Sequence, residues 1–139
     1  MHASKAATTV FKEKSRLPLR RRLNPHALNA FQENHMIYEI AVLPVHEEHI
    51  EAFRQAFDEV SPLLCRANGY RGHMLAQGIE TPHRFNLIVR WQSLEDHTPG
   101  FEASEDHRVF MLGLQDYFSE EPQVYHIEGA VFAAGNPGF

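Results

Sequence analysis

Cysteine is nearly absent from this chain: Cys65 stands alone among 139 residues. No intrachain disulfide can form, which suits a reducing, cytoplasmic setting and leaves the fold to a packed core. No apolar run approaches the roughly 18 residues that a membrane-spanning helix needs, so no membrane partner is expected. Lysine vanishes early, with all three lysines at or before position 14. The sequence also lacks a Gly-rich dinucleotide fingerprint, a P-loop and a Cys-x-x-Cys pair, so nucleotide cofactors and dithiol redox chemistry find no support.

What remains is enough for one domain. Apolar residues make up 43% and aromatics 11% of the chain. The net charge of −5 hides two unlike parts. Residues 1–35 carry seven Lys and Arg against Glu13 and Glu33, a net of +5. Residues 36–139 carry six arginines against sixteen acids, a net of −10. Segments this different do not share a folding unit. The first, with Arg20-Arg21-Arg22 and few large apolar residues, reads as a basic, disordered extension. The second reads as the domain, with a frayed tail after about residue 132. Its acidity excludes nucleic acid as a partner, because phosphate neutralisation needs a basic surface.

Periodicity divides the domain further. Residues 37–45 form a β-branched strand stopped near Pro44. Ile50, Phe53, Phe57, Val60 and Leu64 then recur at helical spacing, and Pro62 predicts a kink or a break near residues 58–61. Asn68-Gly69 ends this helix. Residues 70–79 and 83–92 form an antiparallel hairpin, loosened by Gly72 and Gly78. Ser93, with Asp96 three residues on, opens a short helix that Thr98-Pro99-Gly100 breaks. Ser104 caps another helix, with Phe110, Leu114, Tyr117 and Phe118 on its buried side. Pro122 precedes a last strand running to about residue 132.

The order is β-α-β-β-α-β, an α+β ferredoxin-like plan. Its helices cover one face of the sheet. Yet Leu87 and Val89 on one face, and Ile88 on the other, are all apolar, and Tyr125 and Ile127 alternate against Val124. A homodimer covering the second face is the expected reason.

The stretch Leu87-Ile88-Val89-Arg90-Trp91-Gln92-Ser93-Leu94-Glu95-Asp96-His97 is followed by Gly100-Phe101, Ser104, Tyr117-Phe118 and Pro122-Gln123-Val124-Tyr125-His126. Together with Ser61-Pro62 and Asn68-Gly69-Tyr70-Arg71-Gly72, this resembles the antibiotic biosynthesis monooxygenase (ABM) family, over residues 36–132. The resemblance implies a dimeric α+β barrel. It also implies one of several activities: quinol or anthrone oxygenation without metal or flavin, haem degradation, or isomerisation of a signalling-sugar derivative. Trp91 matches the Trp of haem-degrading members, and His107 lies in the region of their His. Their Asn falls near Val42, which has no polar side chain, so haem degradation is not expected.

Oxygenation without a cofactor needs an electron-rich substrate such as a small aromatic quinol or anthrone, a base near neutral pKa, and an apolar pocket for a flat ring. Histidine is the natural base. His97, close in sequence to Trp91 and Phe101, is the catalytic candidate, and the alternative is a helix-start residue bonded locally. Trp91 is either a stacking surface for substrate or core packing. Phe101, His126 and His73 complete the candidate substrate-binding set, with strand packing as the alternative for the two histidines. Asn86 and Arg90 point to the other face of the strand. His107 is expected on an exposed helix turn, and Cys65 in the core. His46-Glu47-Glu48-His49 falls one residue short of the zinc-protease spacing and shows no third ligand, so no metal or other cofactor is expected. Two rival functions use the same pocket: a non-catalytic dimeric module binding a small ligand, and a proton-transfer isomerase needing no O₂.

Overall fold

In a computed structural model of the chain, residues 35–130 are described. The expectations for the basic leader before residue 35, and for the tail after residue 130, lie outside them. Four strands and two principal helices follow in the order β1 (His35–Pro44), α1 (Ile50–Cys65), β2 (Tyr70–Gln77), β3 (Arg84–Trp91), α2 (Glu105–Leu114) and β4 (Gln123–Ala130). A kinked helical segment, Asp96–Phe101, lies between β3 and α2. The strands form one antiparallel sheet in the order β2-β3-β1-β4. This is the ferredoxin-like arrangement. No helix among the described residues is long and apolar enough to cross a membrane.

The period-2 pattern of the strands decides what the helices bury. In β3, Phe85, Leu87, Val89 and Trp91 are all buried, while the residues between them are not. Register pairs Ala41 with Leu87 and Leu43 with Phe85, so β1 adds the same face to the core. Phe53, Ala56, Phe57 and Leu64 of α1, and Phe110 and Leu114 of α2, close on it. Burying one of these large side chains contributes about 1.5–3 kcal/mol.

Three expectations are corrected here. Helix α1 runs unbroken through Pro62 to Cys65. Proline removes the donor that would bond the Asp58 carbonyl, but the Ser61 hydroxyl donates to that oxygen at 3.3 Å and replaces the missing bond locally. Cys65 is exposed rather than in the core, because it closes the last turn of α1 beyond the buried Leu64. His107 is half-buried rather than exposed, with its ring edge-on to Phe101 at 5.2 Å.

The start of the kinked segment is fixed by local chemistry. The Asp96 amide donates to Ser93 Oγ at 3.2 Å, and that hydroxyl donates to Asp96 Oδ2 at 3.0 Å. Behind them Gly69 sits at φ +80°, where a Cβ would lie 2.1 Å from Asp96 Oδ2. Only glycine combines that backbone conformation with that approach. The Gln92 amide also donates to the Gly69 carbonyl at 2.8 Å, so the exit of α1 clamps the chain just after β3. The clamp sets where His97 begins its turn back toward the sheet. Ser104 then caps α2 by accepting from the His107 amide at 3.1 Å.

Candidate active site

Two polar side chains are buried on the helix-facing side of the sheet: Glu39, 7% exposed, and His97, 3% exposed. Glu39 lies mid-way along β1, paired with Val89 on one side and His126 on the other. Trp91 donates from Nε1 to Glu39 Oε1 at 3.0 Å. His97 brings Nε2 to within 3.3 Å of the same oxygen. Its other ring nitrogen, Nδ1, lies 2.7 Å from His126 Nε2. The His97 ring also stacks on Trp91, with centroids 5.2 Å apart and planes 21° from parallel. Three strands and the kinked segment thus contribute one side chain each to a continuous polar chain.

Beside it opens a cavity of about 200 Å³. Glu39, His97, Glu102, His107 and Glu121 supply its polar wall, and Leu43, Leu87, Phe101, Phe110 and Met111 are among its apolar lining. No lysine or arginine belongs to the described residues that line it. Three carboxylates without a cation repel an anionic ligand and favour a neutral one that donates hydrogen bonds.

Burial sets the charge states. Desolvation raises the Glu39 pKa to about 7, helped by the nearby Glu102 charge, while the Trp91 hydrogen bond pulls it the other way. Desolvation lowers the His97 pKa to about 4, with His126 and His107 adding to the fall and Glu102 opposing it. At neutral pH His97 is an uncharged imidazole, and Glu39 is poised between its two forms. A carboxyl with pKa near the working pH is suited to take and return a proton.

The expected site residues divide. His97, Trp91, Phe101 and His126 come together. Phe101 lines the cavity, whereas Trp91 is fully buried behind Glu39 and His97 and makes no part of the wall. His73 lies apart from them, in a cluster on β2 and the end of α1. Its Nδ1 is 2.6 Å from Tyr70 Oη and 4.0 Å from Cys65 Sγ. The irregular register between Tyr70 and His73, with Gly72 at φ 128°, lets both rings meet. His46 and His49 pack edge to face with centroids 6.0 Å apart. Among the described residues no three His, Cys, Asp or Glu side chains converge as a metal-ligand group.

Glu39 is the residue that sequence reasoning missed. Its signal was parity: it shares its register with Ala41 and Leu43, which are core positions. The alternate set in the same strand, Tyr38, Ile40 and Val42, is equally apolar, so the pattern alone did not say which face was inside.

A sheet of this order has known counterparts. The antibiotic biosynthesis monooxygenase family model matches residues 36–111. YczJ, an uncharacterised protein of Bacillus subtilis (strain 168), is 32% identical over 93 residues, covering 67% of this chain and 98% of that protein. The crystal structure of a candidate antibiotic biosynthesis monooxygenase from Bordetella bronchiseptica superposes with a TM-score of 0.66 at 32% identity, covering 69% of this chain and 98% of that one. A second candidate of the same kind, from Nitrosomonas europaea, superposes with a TM-score of 0.62 at 20% identity, covering 69% and 91%, and shares the fold. The chain belongs to the antibiotic biosynthesis monooxygenase family.

Proposed function

We propose that this protein is a monooxygenase that uses no cofactor and oxidises a small aromatic quinol or anthrone with O₂. The observation that carries the proposal is the buried Glu39–His97 pair on the wall of a largely apolar cavity with no lysine or arginine among the described residues that line it. A quinol or anthrone is flat, neutral and a proton donor, which is what such a wall accepts. The pair removes a proton from the substrate. The resulting electron-rich anion passes one electron to O₂, the substrate radical and superoxide combine to a peroxide anion, and the proton held by the pair converts that to a hydroperoxide. Loss of water leaves a carbonyl, so that an anthrone CH₂ and one O₂ become C=O and H₂O. The substrate supplies all the electrons; in the loss of water the pair takes the remaining C–H proton as the O–O bond breaks and gives it to the departing hydroxide, so that the base ends in its starting state.

The same site would also serve an isomerase, because proton transfer at Glu39 and His97 does not itself need O₂. The two readings separate in one experiment. Full-length protein treated with chelator is supplied with naphthoquinols and anthrones, and O₂ uptake is followed. Uptake above the spontaneous rate, with one oxygen atom from ¹⁸O₂ in the product, supports the oxygenase. Conversion of a substrate at equal rate without O₂ refutes it in favour of the isomerase.

The working unit is a homodimer. Tyr125 and Ile127 on β4 are 54% and 50% exposed and pair with Ile40 and Tyr38 across the uncovered face of the sheet. Met74, 40% exposed, pairs with Ile88 on that face. An apolar face of this kind is stabilised by a second copy. Light scattering at micromolar concentration is expected to give twice the chain mass, and Tyr125→Asp with Ile127→Asp should shift it toward the monomer. A monomeric mass for the unaltered protein removes this part of the proposal. The exposed Cys65 thiol suits a reducing, cytoplasmic setting.

A further inference from the structure

We propose that Glu39 is the group that takes the proton from a ligand in the cavity, and that His97 and His126 relay that proton to and from solvent. The inference rests on the proton-abstraction reading above and adds to it the acceptor and a route. Glu39 and His97 both line the cavity, and His126 is only half-buried. The contacts run in one line, from Glu39 Oε1 to His97 Nε2 at 3.3 Å and from His97 Nδ1 to His126 Nε2 at 2.7 Å.

A neutral imidazole has one N–H and one lone pair. Both ring nitrogens of His97 face a partner, so its tautomer is tied to the state of Glu39. With Glu39 ionised, His97 Nε2–H donates to the carboxylate and His97 Nδ1 accepts from His126 Nε2–H. With Glu39 protonated, its O–H donates to His97 Nε2 and His97 Nδ1–H donates to His126 Nε2. Transfer converts the second arrangement into the first. The Glu39 proton moves to His97 Nε2 as the His97 Nδ1 proton moves to His126 Nε2. Glu39 is again a carboxylate, His97 is again neutral, and His126 carries the charge as an imidazolium until its Nδ1 proton passes to water. Two N–H bonds form, one O–H and one N–H bond break, and no oxidant or other reactant enters.

Burial favours this role for His97. A ring that resists holding charge, with a partner at each nitrogen, conducts a proton rather than storing it. Trp91 holds Glu39 Oε1 in line from the other side. The titratable groups facing the pair are Glu102 at the end of the kinked segment, His107 on α2, Glu121 before β4, and His126 on β4 itself. Glu102 favours a proton on both Glu39 and His97, and His107 and His126 disfavour charge on His97.

The test is ¹⁵N NMR of the His97 ring in the full-length protein from about pH 5 to 9, alongside steady-state kinetics. A tautomer exchange with a midpoint near the Glu39 pKa of about 7, absent in Glu39→Gln, is the expected result. Glu39→Gln should also lower kcat by roughly 10²–10⁴-fold. His126→Ala should lower kcat by roughly tenfold or more with KM unchanged, and imidazole in the buffer should restore it, which loss of a merely structural contact would not show. A single His97 tautomer across the range, or full turnover by Glu39→Gln, overturns the relay even if O₂ uptake is confirmed. Tautomer exchange and its loss in Glu39→Gln, with no O₂ uptake on any substrate, supports the relay and overturns the oxygenase reading instead.

Discussion

His97 and His73 are both strand-side imidazoles whose pKa is lowered by burial, yet their surroundings differ. His97 meets a buried carboxyl and a second imidazole beside an apolar cavity. His73 meets a phenol, a thiol and the edge of Phe57, and it is not among the residues that line the cavity beside Glu39. The Tyr70 pKa is raised, chiefly by desolvation and by Cys65, so its phenol keeps its proton at working pH, and no carboxylate is among the contacts of His73. Residue type is the same in the two places. What separates a candidate catalytic imidazole from a packed one is an acid partner and space for a ligand.

The sharpest way to break this comparison is kinetic. His97→Ala should lower O₂ uptake by roughly 10²–10⁴-fold, whereas His73→Ala should leave it within a few-fold. The opposite ranking would transfer the site to the β2 cluster.

Trp91→Phe tests the support of the pair. It keeps an aromatic ring against His97 and deletes the donor to Glu39, a hydrogen bond to a charged group worth about 1.5–3 kcal/mol. Because that bond lowers the Glu39 pKa, the pH profile of turnover should move upward in the variant. A profile that stays in place would separate Trp91 from the chemistry.

Gly69→Ala tests how the kinked segment is held. Positive φ and the approach of Asp96 should together cost about 2 kcal/mol or more, seen as a lower Tm. An unchanged Tm would show that the clamp on Asp96 does not set the position of His97.

The smallest effect is the pH dependence of stability, and its signs oppose. Glu39 has a folded pKa raised from 4.5 to about 7, so its contribution is present at low pH and is lost as pH rises through that window. His97 has a folded pKa lowered from 6.5 to about 4, so its contribution is present at high pH and is lost as pH falls through that window. The two nearly cancel where they overlap. Glu39→Gln should therefore gain Tm relative to the unaltered protein as pH rises toward 7, and His97→Gln should gain as pH falls below 6. Parallel curves for all three proteins would mean that burial perturbs neither group.

Much of this was legible in the chain. Helical spacing from Ile50 to Leu64, the alternation in Phe85–Trp91, Ser93 before Asp96 and Ser104 before α2 each encode their element through local geometry, and the element order gave the ferredoxin-like plan. That Trp91, His97 and Phe101 lie near one another was legible because they fall within eleven residues, whereas His126 reads only as a strand histidine with packing as the alternative. Sequence failed where the deciding contact is long-range. Pro62 reads as a break unless Ser61 is known to supply the missing bond. Glu39 reads as an ordinary strand acid, because both faces of β1 are apolar and only the packing of α1 and α2 shows which is closed. His73 and His126 are indistinguishable as strand histidines until register sets His126 beside Glu39 and an irregular β2 sets His73 beside Tyr70. Local propensity and pattern thus determined the elements and their order. Only the tertiary structure decided which acid and which imidazoles share one desolvated cavity wall, because burial and charge pairing come from residues distant in the chain.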